Sequence, residues 1–341
     1  MSHSESTKPL HIQITKKPGI VEFSPKELVV HHAGDNGAKT RKLATSLRNV
    51  LYAEIASGNI LKIATLARQK KSHRLVIVEG QIREPDTGEA AQAWVDELMR
   101  LAYDVLPRRR FKVFVNPAGG QGKGVQLFEK KVKPILLAAH GEVDAVVTTH
   151  SKHAVELARE CDLDFDALLT VSGDGLVFEV LNGFRERPDG AKAFALPVCP
   201  IPAGSGNALS ISLLGPKDGF DVALAALNAI KGQRMPYDLC SFTQDGKTSI
   251  SFLSQAIGLM ADLDLVASNK PCAMTLSIKV ASRDKAQMVE ALHEFKANPK
   301  PPTNTMPSTT ANWENIITPQ HAQDDINSSD WFTFDKPVLY V

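Results

Sequence analysis

Three times between Phe111 and Asn207 the chain repeats one local pattern: an apolar run of strand character, a glycine-bearing turn, then a helix-like run. The strand runs are Phe111-Lys112-Val113-Phe114-Val115, Ala167-Leu168-Leu169-Thr170-Val171 and Ala193 to Ile201. The turns are Asn116 to Gly120, Ser172 to Gly175 and Gly204 to Asn207. Alternation of this kind builds a parallel sheet with helices on both faces. The carboxyl ends of such strands share one rim, and ligands bind there. Glycine lets a backbone approach a polyphosphate closely, and the N–H groups that open a helix attract anions. The pattern therefore predicts a phosphate-handling cleft walled by three turns. Asp174, set between Gly173 and Gly175, is placed there to accept a proton from an attacking hydroxyl.

The first turn, Asn116-Pro117-Ala118-Gly119-Gly120-Gln121-Gly122-Lys123-Gly124, is neither of the two familiar phosphate loops. A Walker A loop needs glycine where Pro117 stands and Ser or Thr where Gly124 stands, and the G-x-G-x-x-G spacing of dinucleotide folds is missing. With 39 Lys and Arg against 38 Asp and Glu, the net charge of +1 and the lack of a long basic tract argue against a nucleic-acid partner. Four cysteines, Cys161, Cys199, Cys240 and Cys272, show neither C-x-x-C pairing nor zinc-ligand spacing, so reduced thiols are expected and no metal ligands are singled out. The N-terminus carries no basic-then-apolar signal pattern, and no run approaches the roughly 18 apolar residues of a membrane span. A cytoplasmic, non-spanning protein is the expectation.

Along the chain, residues 1–20 are polar and expected to be disordered. Residues 21–105 read as a β module: Lys26 to Val30, Arg48 to Ile55, Leu61 to Leu66 and Leu75 to Val78 are strand-like, and a helix from Glu89 to Leu101 follows, with Ala93, Trp94, Glu97, Leu98 and Leu101 at helical spacing. Strands closed by one tryptophan-bearing helix resemble a pleckstrin-homology-like (PH-like) module. Its basic stretch Arg68, Lys70, Lys71, His73 and Arg74 is a candidate contact for anionic headgroups. Residues 106–235 are the α/β lobe, in which Val125 to Ala139 predicts one helix, Val143 to Thr148 a strand, and Ser151 the cap of a helix running to Glu160. Residues 236–341 lose the alternation; Tyr237 to Leu239, Ser249 to Leu253 and Thr275 to Val280 read as strands of a β-rich lobe, and the chain stops at Val341 within strand-like sequence, so that lobe is expected to be incomplete.

Phe114 to Lys123, Val171-Ser172-Gly173-Asp174-Gly175-Leu176, Glu179-Val180-Leu181-Asn182-Gly183 and Ile201-Pro202-Ala203-Gly204-Ser205-Gly206-Asn207-Ala208-Leu209 together resemble sphingosine kinases, the sphingoid long-chain-base kinases of the diacylglycerol kinase superfamily. The likeness runs from about Arg110 to Leu265. It implies an α/β nucleotide-binding lobe, ATP with Mg²⁺, a sphingoid base as lipid substrate, and a cytoplasmic enzyme held peripherally at intracellular membranes. It further implies that Asn116, Pro117, Ala118, Gly119, Gly120, Thr149, Glu179, Gly204, Ser205 and Gly206 contact the nucleotide. Asp174 would deprotonate the primary hydroxyl, and Ser172, Gly173 and Gly175 would line the head-group region. Within Ala256 to Asp264, Asp264 would pair with the sphingoid ammonium, a charge match that separates a free base from a neutral ceramide.

The sequence departs from that family after Asp264-Leu265. Where the family carries a Gly-Glu-bearing stretch with phosphate-reaching arginines, this chain reads Val266-Ala267-Ser268-Asn269-Lys270-Pro271. In related phosphoryl transfer such arginines are worth on the order of 10³-fold. The reading is therefore a sphingoid-base kinase of reduced competence. Its alternatives are a ceramide or diacylglycerol kinase, and a non-catalytic nucleotide- or membrane-binding relative.

Overall fold

In a computed structural model of the chain, the structure describes residues 8–14, 17–33, 39–103, 107–244 and 246–253, with residue 293 and two short strands beyond. The alternating apolar residues of the first 82 positions form seven antiparallel strands: β1 (Leu10–Ile14), β2 (Lys17–Phe23), β3 (Glu27–Ala33), β4 (Lys39–Ser46), β5 (Val50–Ala56), β6 (Ile60–Gln69) and β7 (Ser72–Ile82). Their order, β4-β3-β2-β1-β7-β6-β5, is a meander joined through the β1–β7 pairing. β4 and β5 are its edge strands, and the Thr45 hydroxyl of β4 donates to the Leu66 carbonyl of β6 at 2.7 Å.

β1 lies inside the stretch expected to be disordered. Leu10 and Ile12 are buried, and their period-two spacing supplies the apolar face that a polar average conceals. Helix α1 (Glu89–Ala102) packs Ala91, Trp94, Val95, Leu98 and Ala102 into the module's core. The expected face was rotated from this one: Ala93 is exposed and Glu97 half-buried. Trp94 meets Phe23 edge-on at 4.8 Å and donates its indole N–H to the Lys8 carbonyl at 3.1 Å.

The predicted parallel sheet is present, in the order β11-β10-β8-β9: β8 is Arg110–Val115, β9 Glu142–Val147, β10 Ala167–Ser172 and β11 Val198–Pro202. From β8 the chain steps to β9 on one side and then crosses back to β10 on the other, so the winding reverses between β8 and β10. Every residue of β10 is buried, the signature of a strand covered on both faces. On one face Val113, Val115, Val171 and Ile201 pack with Phe128, Ile135 and Leu136 and with Leu227 and Ile230. On the other, Phe114 and Leu168 pack with Ala154, Ala158, Val180 and Phe184.

The single helix expected from Val125 to Ala139 is interrupted: α2 (Gly119–Gly122), α3 (Gly124–Leu127), a π turn (Phe128–Val132) and α4 (Lys133–Ala138). The π turn precedes Pro134, which has no N–H for the regular ladder. Helices α5 (His153–Glu160), α6 (Asp174–Arg185), α7 (Gly190–Phe194), α8 (Ala208–Asp218) and α9 (Val222–Lys231) complete the layers. The strand expected from Ala193 begins only at Val198, because Gly190–Phe194 forms α7.

The β module and the α/β lobe belong to one compact unit, Met1–Ser254. Leu51 and Leu66 of the module enter the core beside β8 and α9. The backbone N–H of His73 donates to Asp221 Oδ2 at 2.7 Å, and its Nδ1 lies 2.8 Å from the same oxygen. Asp221 Oδ1 meanwhile accepts the first N–H groups of α9, from Ala223 and Leu224. Arg68 reaches Asp218 at 3.3 Å. Two members of the basic stretch offered for headgroups thus face the lobe instead. Lys231, 5% exposed, donates to the Val50 and Ala102 carbonyls of the module.

The expected break at residue 235 also moves. The hairpin β12 (Cys240–Gln244) and β13 (Lys247–Ser251) stays with the first unit. Tyr237 to Leu239 is not a strand. In the second unit, Gln255–Val341, β14 (Leu276–Lys279) pairs antiparallel with β15 (Trp331–Phe334).

Candidate active site

The turns that follow β8, β10 and β11 meet at the carboxyl rim of the sheet and wall a cleft of about 630 Å³. It lies where the winding reverses, the place at which open α/β sheets bind ligands. Asn116 ties two of these turns together. Its Oδ1 accepts the Ala118 N–H at 3.0 Å, closing the turn on itself, and its Nδ2 donates to the Ser172 hydroxyl at 3.1 Å.

The second and third turns are zipped backbone to backbone. The Ala203 N–H donates to the Ser172 carbonyl at 2.9 Å, and the Asp174 N–H to the Gly206 carbonyl at 3.1 Å. Only glycine permits this. A Cβ on Gly204 would stand 2.3 Å from the Gly173 Cα, and one on Gly173 would stand 2.4 Å from the Gly206 oxygen. In the first turn Gly120 and Gln121 are both left-handed, with φ of 61° and 59°. Two successive left-handed residues turn the backbone sharply beside the cleft, a conformation that glycine adopts freely. A non-glycine residue in this conformation carries strain, which concentrates at functional sites.

Asp174 is the first residue of α6 and half-buried in the cleft wall. Its carboxylate accepts the Ala208 N–H at 2.7 Å and the Leu209 N–H at 3.0 Å, capping α8. Each oxygen keeps a further lone pair with which to accept a hydroxyl proton. Charge-assisted bonds of this type fix the carboxylate's orientation firmly.

The structure brings together Asn116, Ala118, Gly119, Gly120, Ser172, Gly173, Asp174, Gly175, Gly204, Ser205 and Gly206 as the lining of this cleft. Pro117 is exposed beside it. Glu179 lies further along α6, where its carboxylate accepts the N–H groups of Lys152 (3.3 Å) and Ala154 (3.2 Å). It is the N-terminal cap of α5, the task expected of Ser151; α5 begins at His153 after a left-handed Lys152. Thr149 is exposed at the end of β9, its N–H donating to His153 Nδ1 at 3.1 Å. Asp264 falls outside the described residues.

Two lining or bracing residues escaped the sequence reading. Gln121 lines the cleft. Asn207, 5% exposed, bonds both the N–H (3.1 Å) and the carbonyl (2.7 Å) of Gly204 through its side-chain amide and so sets the third turn. An asparagine just after Gly-Ser-Gly was the available signal, since Asn side chains bond nearby backbone in turns.

The family model described as diacylglycerol kinase catalytic domain matches residues 110–242, the segment that carries all three turns. Residues 110–242 belong to the diacylglycerol kinase catalytic-domain family. The resemblance to sphingosine kinases read from the motifs agrees with this domain's relatives. The chain is 36% identical over 234 residues to Sphingoid long chain base kinase 4 of Schizosaccharomyces pombe, covering 68% of this chain and 49% of that protein. It is 42% identical over 171 residues to Sphingosine kinase 1 of Homo sapiens, covering 47% of this chain and 44% of that one. The chain spans about half the length of these curated relatives. Among solved structures, a putative diacylglycerol kinase from Bacillus anthracis aligns at 26% identity with a TM-score of 0.34, over 42% of this chain and 48% of that one. Ahead of the diacylglycerol kinase catalytic domain, a family model described as a domain of unknown function (DUF7493) matches residues 21–104.

Proposed function

We propose that this protein transfers the γ-phosphoryl group of ATP to the primary hydroxyl of a sphingoid long-chain base. One observation carries the reading: three glycine turns converge around a single aspartate whose carboxylate is held rigid by two backbone N–H groups. Phosphoryl transfer asks for positioning and charge neutralisation rather than covalent chemistry. The N-terminus of α6 supplies a fixed positive dipole for the phosphates. Asn116 to Gly120 and Gly204 to Gly206 then hold the nucleotide. Asp174 orients the lipid hydroxyl and receives its proton as the oxygen attacks phosphorus and the β–γ bridging oxygen leaves with ADP.

Magnesium suits this donor set, because it is usually held by one or two carboxylates with phosphates and water, and Asp174 is the carboxylate lining the cleft. Its chemistry would be neutralisation of phosphate charge. Thr149 and Glu179 act on the nucleotide side, Glu179 through the α5 N-terminus that it caps.

The β module is proposed to be PH-like, from its seven-stranded meander closed by one helix, and to hold the enzyme at a membrane surface. No described helix is long and apolar enough to cross a bilayer. The deciding experiment supplies γ-labelled ATP with sphinganine, ceramide or diacylglycerol in mixed micelles. Label in sphinganine alone supports the reading; label in a neutral lipid alone replaces the substrate, and tight ATP-analogue binding without transfer replaces the activity.

A further inference from the structure

Helix α6 carries more than Asp174. A little over two turns on from that residue, at i+8 and about 80° round the helix, stands Asn182. Its side chain is 7% exposed and fully engaged. Oδ1 accepts the Ile250 N–H at 2.9 Å, and Nδ2 donates to the Ile250 carbonyl at 2.8 Å and to the Phe178 carbonyl at 2.8 Å. Ile250 lies in β13 opposite Ser241 of β12, and it turns both backbone groups outward to Asn182. The amide therefore occupies the place of a neighbouring strand along the outer edge of β13. Below it, Phe252 packs with Val177 and Leu181 of α6 and Leu209 of α8, so the contact is sealed from water.

A two-stranded hairpin is marginal alone. This one is tied through the Asn182 amide to the helix that begins with the proton acceptor. None of the cleft's lining residues comes from the hairpin, so its place bears on something other than the nucleotide turns. Helix α6 exposes Phe178, the hairpin Phe242 and the segment leading into it Tyr237, which suit an aliphatic rather than a polar acceptor.

Resting on the lipid-kinase reading above, we propose that Asn182 is a positioning residue for the acceptor lipid. It holds β12–β13 against α6 and thereby sets the acceptor side of the site relative to Asp174, leaving the nucleotide side untouched. Three half-buried hydrogen bonds to main chain are lost together when the amide is replaced, and the Ile250 N–H, left without its acceptor, is destabilised.

The test uses the full chain and three variants. Asn182→Leu keeps the bulk and removes all three bonds. Asn182→Asp keeps the acceptor for Ile250 but turns a carboxylate toward two carbonyls. Ile250→Pro removes only the outward N–H, at an edge position where proline is tolerated. Hydrogen exchange is followed at residues 240–253 and at the three cleft turns, beside the Kd of a non-hydrolysable ATP analogue and the KM for sphinganine.

The expected result is exchange in 240–253 faster by about tenfold or more, with the cleft turns and the analogue Kd within about twofold of the parent. The sphinganine KM should rise by about tenfold, with kcat changed far less. Unchanged exchange in 240–253, or analogue affinity falling in parallel with it, overturns the assignment. A parent that transfers no phosphate to any base fails the functional reading instead, and the exchange and analogue arms still decide whether Asn182 anchors the hairpin independently of the nucleotide side.

Discussion

The carboxylate of Asp174 answers two demands, closing the first turn of α8 and facing the cleft. Asp174→Asn removes the charge and leaves one oxygen where two N–H groups need acceptors. We expect kcat to fall by on the order of 10²–10⁴-fold, the range for a lost general base. Stability should drop by about 1 kcal/mol, as for a lost cap. A labelled-phosphate assay and a thermal melt check both, and an Asn variant of near-parental kcat removes Asp174 from the proton path. The turn that holds Asp174 was legible because glycines stand on both sides of it; its capping bond was not, because α8 lies over thirty residues further on. Cys199 offers a prediction of a different kind. Burial pushes its thiol up to about 11 from the ordinary 9.0, against a small opposing pull from Arg108. The folded state therefore favours the neutral thiol. That contribution is intact below pH 9 and is lost as pH climbs through 11, about 3 kcal/mol at most for two pH units. Urea unfolding at pH 8 and pH 11 should show a steeper loss for the parent than for Cys199→Ala.

Elements here are joined by polar side chains that cap their neighbours: Asp174 for α8, Glu179 for α5 and Asp221 for α9. Asp221 does so while gripping His73 of the β module, and both side chains are nearly buried. Asp221→Ala removes the α9 cap and leaves the buried His73 N–H unpaired. We expect a loss of about 2–4 kcal/mol, the sum of a cap and an unsatisfied donor. Chemical denaturation measures it, and a change under about 0.5 kcal/mol, the scale of an ordinary surface substitution, would contradict the role. Apolar runs revealed β8 and β10, because a strand covered on both faces carries an unbroken apolar stretch. They misread Ala193 to Pro197, where alanine and phenylalanine suit either state, and the start of α5, whose cap comes from a distant glutamate. Tertiary partners decide such ends, and a local window does not contain them.

At the scale of the whole first unit, the β module and the α/β lobe share apolar core through Leu51 and Leu66 and share Lys231 as a buried link. Removing the module would open that core and strand a lysine. We expect the two parts to melt together in a single transition, with hydrogen exchange in β6 and β8 reporting the same opening free energy; two separated transitions would show independent domains. The strand-like runs and closing helix of residues 21–105 predicted a module, and the lobe's glycine turns predicted the cleft. Their union was illegible, because a Leu in an antiparallel strand reads the same whether it faces its own helix or another sheet. The strand order has one more consequence. The cleft takes its walls from Asn116, Gly173 and Gly204, in the turns after β8, β10 and β11, and the last wall is braced when Ala208 and Leu209 engage Asp174. A growing polypeptide on the ribosome consequently has no grip on a nucleotide until α8 has emerged, and stalled nascent chains ending before that helix should fail to be retained on an ATP resin that captures longer ones.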